Sequence, residues 1–154
     1  GKITIPVLLC IFLVSLTSGM EIYSPSSIAG SYKSYGIFWG NVPKQFNITG
    51  QVILASPSDG CSKLKNSDEV RGNIVLIDKD NCYATEKMKR AQEAGAIGCM
   101  IRSFQFHGQL NYLYDGHSHP SLVIPTVEIA GEDYPKFKDE VDKGMYATIE
   151  PDDN

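Results

Sequence analysis

Residues 72–83 read GNIVLIDKDNCY, and this stretch decides the fold. Within it, Ile74 to Ile77 is a continuous apolar run, which predicts a strand buried on both faces. A polar turn, Asp78 to Asn81, and then Cys82 follow the run directly. The stretch therefore predicts a core strand that ends in a polar turn carrying a cysteine.

A helix is predicted after this turn, over Tyr83 to Ala94, because small and apolar residues recur at helical spacing from Ala84 onward. Gly95 is well placed to end the helix in the left-handed conformation. Gly98 to Ile101 is a second apolar run and predicts a second buried strand. A strand, a helix and a strand with such short joins indicate a parallel crossover.

Further elements are predicted on both sides of this unit. About six strands and two helices are expected in all, with both helices in the second half of the chain. Ser103 to Ser121 has no clear period and is expected to be one long loop. The other predicted strands are Tyr35 to Trp39, Gln51 to Ala55, Leu122 to Ile129 with an interruption at Pro125, and Tyr146 to Ile149; the second helix is Glu132 to Lys143.

The cysteines predict one disulfide. Cys61 and Cys82 each follow a turn and lie in loops, and closing the loop between them would contribute about 3 kcal/mol by restricting the unfolded chain. Cys99 lies inside a predicted strand, where a thiol acts as a small apolar side chain. A nucleophilic role for Cys99 is not favoured, because no nearby group would form its thiolate. Cys10 belongs to the amino-terminal segment.

The amino-terminal segment is predicted to be a secretory signal peptide, residues 1–19. Ile3 to Leu16 carries no charge, follows Lys2, and is shorter than the roughly 20 apolar residues of a membrane span. A buried strand or a signal anchor is the alternative. Residues 20–150 then form the domain and 151–154 an acidic tail, with no membrane span in this mature segment. Export would favour disulfides and glycosylation of Asn47, in the Asn-Ile-Thr triplet.

Composition limits the class of protein. The 154 residues are 42% hydrophobic and 21% charged, which is typical of one soluble globular domain and excludes a coiled coil or a disordered chain. The formal net charge of −4 argues against nucleic acid as a partner. The expected location is the secretory or endolysosomal lumen, or the outside of the cell.

No catalytic constellation is recognised, and no cofactor is expected. Gly116 to Pro120 imitates the G-x-S-x-G nucleophile motif, but it lacks the last glycine and the strand-to-helix turn that exposes the nucleophile. A histidine-rich loop offers the one candidate metal site, a zinc ion on histidine and carboxylate ligands. The alternative is a polar loop that faces solvent. The candidate ligands are His107, Asp115, His117 and His119.

The decisive stretch, followed by Lys87 and by Ala91 to Gly98, resembles the protease-associated (PA) domain family. That family has a G-K-I-V-L strand, an R-G-x-C turn, an aromatic residue, a lysine and A-Q-x-A-G-A before the next strand. Ile124 to Ile129 is similar to the family's I-P-x-x-x-I strand. The sequence departs from the pattern at Lys79 to Asn81, which stands where Arg-Gly and one more residue are common.

The resemblance implies an α+β fold, the swivelling β/β/α arrangement, with two small β-sheets and two main helices. It also supports the pairing of Cys61 with Cys82. PA domains have no catalysis of their own, so the chain is expected not to be an enzyme. They occur in proteases, aminopeptidases, vacuolar sorting receptors and transmembrane ubiquitin ligases. The layout is most similar to small secreted glycoproteins with one PA domain.

These observations predict a non-enzymatic module that binds peptide or protein segments. The expected site is the turn of Asp78, Lys79, Asp80 and Asn81 together with the long loop, because loops on a rigid scaffold commonly carry recognition. A strand edge could add backbone hydrogen bonds. The alternative function is a regulatory or substrate-recruiting fragment of a larger protease, ligase or sorting receptor. The candidate aromatic anchors, which could instead merely cover the sheets, are Phe104, Phe106, Tyr112 and Tyr114.

Overall fold

Eight strands and three α-helices lie within residues 19–103 and 115–152, which are the residues that the computed structural model describes. The chain has the α+β class expected from its sequence. The strands are β1 (Met20–Ser24), β2 (Gly30–Tyr32), β3 (Ser34–Gly36), β4 (Ile48–Leu54), β5 (Ile74–Ile77), β6 (Gly98–Arg102), β7 (Thr126–Ile129) and β8 (Tyr146–Ile149). The helices are α1 (Ser67–Val70), α2 (Ala84–Glu93) and α3 (Asp133–Glu140), which a short 3-10 helix (Val141–Lys143) follows.

The strands are arranged in the order β2-β1-β8-β4-β5-β6-β7-β3. Strand β4 pairs with β8 in the antiparallel direction and with β5 in the parallel direction. The two small sheets that were expected are therefore joined through β4 into one mixed sheet. Four neighbouring strands of this sheet, β4 to β7, run parallel to one another. Their carboxyl ends therefore meet at the same edge.

Strand β5 is buried on both faces, as the apolar run predicts. Val75 and Ile77 pack in a cluster with Met88 of α2, whereas Ile74 and Leu76 pack on the opposite face with residues of α3. This alternation follows from the two-residue period of a strand. The sheet therefore forms the middle layer between α2 and α3.

The predicted strand-helix-strand unit is confirmed. Strands β5 and β6 pair in parallel, with Ile74 opposite Gly98, and α2 connects them. Gly95 adopts φ of 81° just past the end of α2, which is the left-handed geometry that a helix terminator requires. Among the described residues, Cys99 is the free cysteine and is buried in β6, also as expected.

Two predicted strand boundaries are wrong, and one short helix was not predicted. The strand expected over Tyr35 to Trp39 is β3, which runs from Ser34 to Gly36, and the chain turns further on, at Gly40 with φ of 65°. Strand β7 begins only after Pro125, which has no N–H for a ladder. Helix α1 was missed in the first half of the chain, since four residues give no helical period.

The predicted signal peptide lies outside the described residues except for Gly19. Within residues 19–103 and 115–152, no helix combines the length and the apolar character that crossing a bilayer requires.

Candidate functional site

The candidate site lies at the carboxyl ends of the parallel strands. Strand β5 delivers the turn that begins at Asp78, β6 delivers Arg102 and Ser103, and β7 leads into the loop before α3. Ligands of open sheets with parallel strands commonly bind outside this edge. The predicted turn residues therefore lie where such a sheet presents its functional loops.

The turn of Asp78, Lys79, Asp80 and Asn81, called the disulfide turn below, has an unusual backbone. Asp80 has φ of 79° and Asn81 has φ of 69°, a left-handed region that side chains other than glycine rarely adopt. Both residues are exposed. Asp80 stands where the PA pattern commonly has glycine, and the left-handed backbone explains that preference.

A disulfide and a capping carboxylate hold this turn. Cys61 and Cys82 are bonded, with their Cα atoms 5.8 Å apart, so the predicted pairing is confirmed. Asp59 accepts the backbone N–H of Cys61 at 3.0 Å and the side-chain amide of Asn81 at 3.0 Å. These two hydrogen bonds, the first being the larger influence, lower the pKa of Asp59.

Lys87 of helix α2 stabilises the turn through hydrogen bonds from its buried ammonium group. Its side chain is only 1% exposed, and its ammonium donates to the backbone oxygens of Asp59 at 2.6 Å and Asp80 at 2.7 Å. Burial lowers the pKa of Lys87, and the carboxylates of Asp59 and Asp78 oppose that shift. The lysine thus fastens both sides of the disulfide to helix α2.

Asp78 is held by an ion pair behind the turn. Arg102 Nη1 lies 3.3 Å from Asp78 Oδ1, which also accepts the backbone N–H of Lys79 at 2.8 Å. The guanidinium of Arg102 lies 5.1 Å from the ring centroid of Tyr134. Burial raises the pKa of Tyr134 to about 12, with a further contribution from Asp78 and opposition from Arg102. Tyr134 therefore remains a neutral hydroxyl at physiological pH.

A buried carboxyl lies on the other face of the same edge. Glu128 in β7 is 1% exposed and accepts a hydrogen bond from the hydroxyl of Ser103 on its Oε1 atom. Its Oε2 atom has no hydrogen-bond partner among the described residues. Burial raises the pKa of Glu128, and the bond from Ser103 only partly opposes this.

Asp115 links the histidine-rich segment to helix α2 through hydrogen bonds. It accepts hydrogen bonds from the backbone N–H of His117 at 2.9 Å and from the hydroxyl of Thr85 at 3.0 Å, and it lies 2.7 Å from His119 Nε2. These contacts, above all that of His119, lower the pKa of Asp115 to about 2. Within the described ranges no three His, Cys, Asp or Glu side chains are grouped as metal ligands. His107 lies outside those ranges.

The predicted site residues thus have different outcomes. The structure brings the four residues of the disulfide turn together with the disulfide. Asn47 lies just before β4, at the opposite end of the parallel strands from the turn. It is exposed, and its Nδ2 lies 3.2 Å from Glu150 Oε2. The candidate aromatic anchors lie outside the described residues and comprise Phe104, Phe106, Tyr112 and Tyr114.

Four residues of this edge were not found from the sequence. Glu128 had a visible signal, since it is a charged residue inside an apolar strand. Arg102 and Tyr134 gave none, because a contact between residues so far apart in the chain leaves no local pattern. Asp59 resembled an ordinary loop residue.

Together these features define a small disulfide-bonded α+β domain whose candidate site lies in loops at the carboxyl ends of parallel strands. The chain belongs to the PA domain family, because the sequence model of that family matches residues 48–135, more than half of the chain.

Related sequences extend beyond this chain. The human ER degradation-enhancing alpha-mannosidase-like protein 3 is 39% identical over 92 residues, which cover 60% of the chain and 9% of the relative. The PRADC1-like protein of Drosophila melanogaster is 24% identical over 123 residues, which cover 73% of the chain and 60% of the relative. The chain therefore spans less than two thirds of the length of either relative.

Solved structures share the fold. A zinc aminopeptidase from Bacillus subtilis matches 86% of the chain with a TM-score of 0.55 and 20% identity, and the match covers 30% of that enzyme. An aminopeptidase from Aneurinibacillus sp. strain AM-1 matches 86% of the chain with a TM-score of 0.56 and 16% identity, over 32% of that enzyme. At these identities the likeness concerns the fold alone.

Proposed function

We propose that this PA domain is a non-enzymatic module that binds extended peptide or protein segments at the disulfide turn. The observation that carries the proposal is the fixed, exposed geometry of Asp80 and Asn81. Their left-handed backbone is held by the disulfide, by Asp59 and by the buried ammonium of Lys87. A rigid loop loses little conformational entropy when a partner binds, which favours recognition.

The pairing of the sheet limits how a peptide would bind. Strand β5 is paired on both sides, with β4 and β6, so a peptide at the disulfide turn would contact loops and not a free strand edge. In the described part of the chain the outer strands are β2 and β3. The peptide would therefore be recognised through side chains and the turn backbone, with Lys79 as the cation that attracts acidic groups.

The side chains near the site support a binding role over catalysis. The Cys99 thiol is fully buried, and this burial raises its pKa, which opposes the thiolate form that a nucleophile needs. The ring of His119 is engaged with the carboxylate of Asp115. Neither group is arranged as an activated nucleophile with its base.

The proposed location is the lumen of the secretory pathway or the outside of the cell. The disulfide supports it, since disulfides persist in oxidising compartments, and one relative is named for degradation in the endoplasmic reticulum. In this proposal residues 1–19 are removed, residues 20–150 form the domain, 151–154 form the tail, and Asn47 carries a glycan. A mass decrease after enzymatic removal of N-glycans, absent in Asn47→Gln, would test the last point.

The alternative function is a regulatory or substrate-recruiting part of a larger protease, transmembrane ubiquitin ligase or sorting receptor. It is favoured by the small share of the relatives and of the aminopeptidases that the chain covers. The reading frame beyond Asn154 distinguishes the two functions. An apolar span followed by a catalytic or ligase domain would support the alternative.

Peptide capture tests the binding function. The full chain, produced in a secretory host and immobilised, is exposed to a random peptide library beside two charge-reversed variants, Lys79→Glu and the control Lys89→Glu. Lys89 is exposed on α2 and carries the same charge. We expect retention by the wild type and the control and loss in Lys79→Glu. Equal retention by all three, or no retention by any, would overturn the assignment.

A further inference from the structure

We propose that Arg102 and Tyr134 form a carboxylate-binding subsite beside the disulfide turn. The occupant would be a carboxylate of the bound peptide, either its terminal group or an acidic side chain. This inference rests on the proposed peptide-binding function and specifies which chemical group of the peptide is recognised there.

The first observation is that Arg102 has an unused donor edge. Its Nη1 atom serves Asp78 at 3.3 Å, but its Nε atom, which is shielded from solvent, has no acceptor among the described residues. A guanidinium binds a carboxylate through two parallel N–H groups, and the edge formed by Nε and Nη2 offers such a pair. A buried donor without an acceptor costs free energy, so a ligand oxygen at this edge would be stabilising.

The second observation is an unpartnered hydroxyl on the aromatic ring that packs against Arg102. Tyr134 is 2% exposed, its ring lies under the guanidinium, and its hydroxyl has no partner within the described part of the chain. The hydroxyl remains protonated, as shown above, and so can donate a hydrogen bond. The guanidinium of Arg102 is positively charged and the hydroxyl of Tyr134 can donate a hydrogen bond. Together they favour an anionic acceptor over a neutral or cationic one.

The acidic residues around the subsite have their own partners. Asp78 is neutralised by Arg102 itself and by the backbone N–H of Lys79. Asp133 lies 3.6 Å from the ammonium of Lys136. Glu132 is exposed at the start of α3. Because Asp78 occupies only the Nη1 edge, the Nε edge stays available for a second carboxylate.

The test uses two small probes that differ in one group. N-acetyl-trialanine carries a free carboxylate, whereas N-acetyl-trialanine amide is neutral. Each is titrated into the ¹⁵N-labelled full chain, and the side-chain Nε–H signal of Arg102 is followed by NMR. We expect a saturable downfield shift of the Arg102 Nε proton with the acid and none with the amide.

Variants assign the contacts. Arg102→Lys keeps a cation for Asp78 but removes the paired edge, and it should weaken binding of the acid by about tenfold or more. Tyr134→Phe keeps the ring but removes the hydroxyl, and it should weaken binding by roughly threefold to tenfold. Arg71→Lys, an exposed arginine before β5, is the matched control and should bind as the wild type does.

Equal shifts with the acid and the amide, no shift with either, or unchanged affinity in Arg102→Lys would overturn the subsite. Those results leave the proposed function in place if the library experiment still shows loss in Lys79→Glu. Conversely, acid-specific binding at Arg102 with no effect of Lys79→Glu would support the subsite and contradict recognition by the turn.

Discussion

The ammonium of Lys87 donates a 2.6 Å hydrogen bond to the backbone oxygen of Asp59, and this contact fastens the loop before the disulfide to helix α2. A second bond of 2.7 Å reaches the backbone oxygen of Asp80 on the other side of the disulfide. One buried side chain therefore fixes both halves of the candidate site. Its position accounts for the lysine that follows the turn in the PA pattern.

Replacing Lys87 by methionine should destabilise the domain by about 2–3 kcal/mol, because the backbone oxygens of Asp59 and Asp80 lose a charged donor while the apolar stem is kept. The measurement is the urea midpoint of the full chain. The control is Lys89→Met, which changes an exposed lysine on the same helix. Equal midpoints for the two variants would show that the ammonium of Lys87 contributes nothing to the fold.

Removing the disulfide should lower the free energy of unfolding by about 3 kcal/mol, since Cys61 and Cys82 close a loop with a sequence separation of 21. The double variant Cys61→Ala/Cys82→Ala is compared with the wild type in urea, with and without a thiol reductant. The reductant should destabilise the wild type and leave the double variant unchanged. A wild type that is insensitive to complete reduction would contradict the expectation.

Glu128 should make stability depend on pH. Its pKa is raised above the ordinary value of 4.5 because it is buried, so the folded chain holds a proton that the unfolded chain releases. The free energy of unfolding should therefore fall as pH rises from about 4.5 through the raised pKa. Unfolding curves from pH 4 to pH 8 should show Glu128→Gln gaining stability relative to the wild type as pH rises. Parallel profiles would rule out this role.

Asp115 should titrate at unusually low pH. Carboxyl NMR signals should give its pKa as about 2, and His119→Ala should raise that value, since the contact with His119 is the main cause of the shift. Because the pKa is lowered, the stabilising contribution is present above the ordinary value of 3.8 and is lost as pH falls toward 2. An unchanged pKa in His119→Ala would mean that His117 and Thr85 hold the carboxylate without it.

Local signals were sufficient to predict the centre of the fold. The apolar run of β5, the helical spacing of α2 and the position of Gly95 are each expressed within a few residues, and each was confirmed. The disulfide was also predictable, because both cysteines follow turn residues while Cys99 lies in a strand. The PA resemblance added the expected class and agreed with these elements.

The remaining features depend on contacts between distant parts of the chain. The joining of the two small sheets is set by β4, whose pairing with β8 involves residues about a hundred positions apart, and no local pattern reports it. The Arg102–Tyr134 contact is likewise tertiary. Helix α1 is too short to show a period. Residues that act through such contacts can be identified only when the order of the strands in the sheet is known.

The most direct test of the central claim is an NMR map of binding. The ¹⁵N-labelled full chain is titrated with a peptide selected from the library, and backbone amide shifts are compared across the domain. Binding at the disulfide turn predicts that the largest saturable changes fall on residues 78–82 and on Arg102 and Ser103. Changes concentrated on the outer strands β2 and β3, with the turn unaffected, would contradict the account.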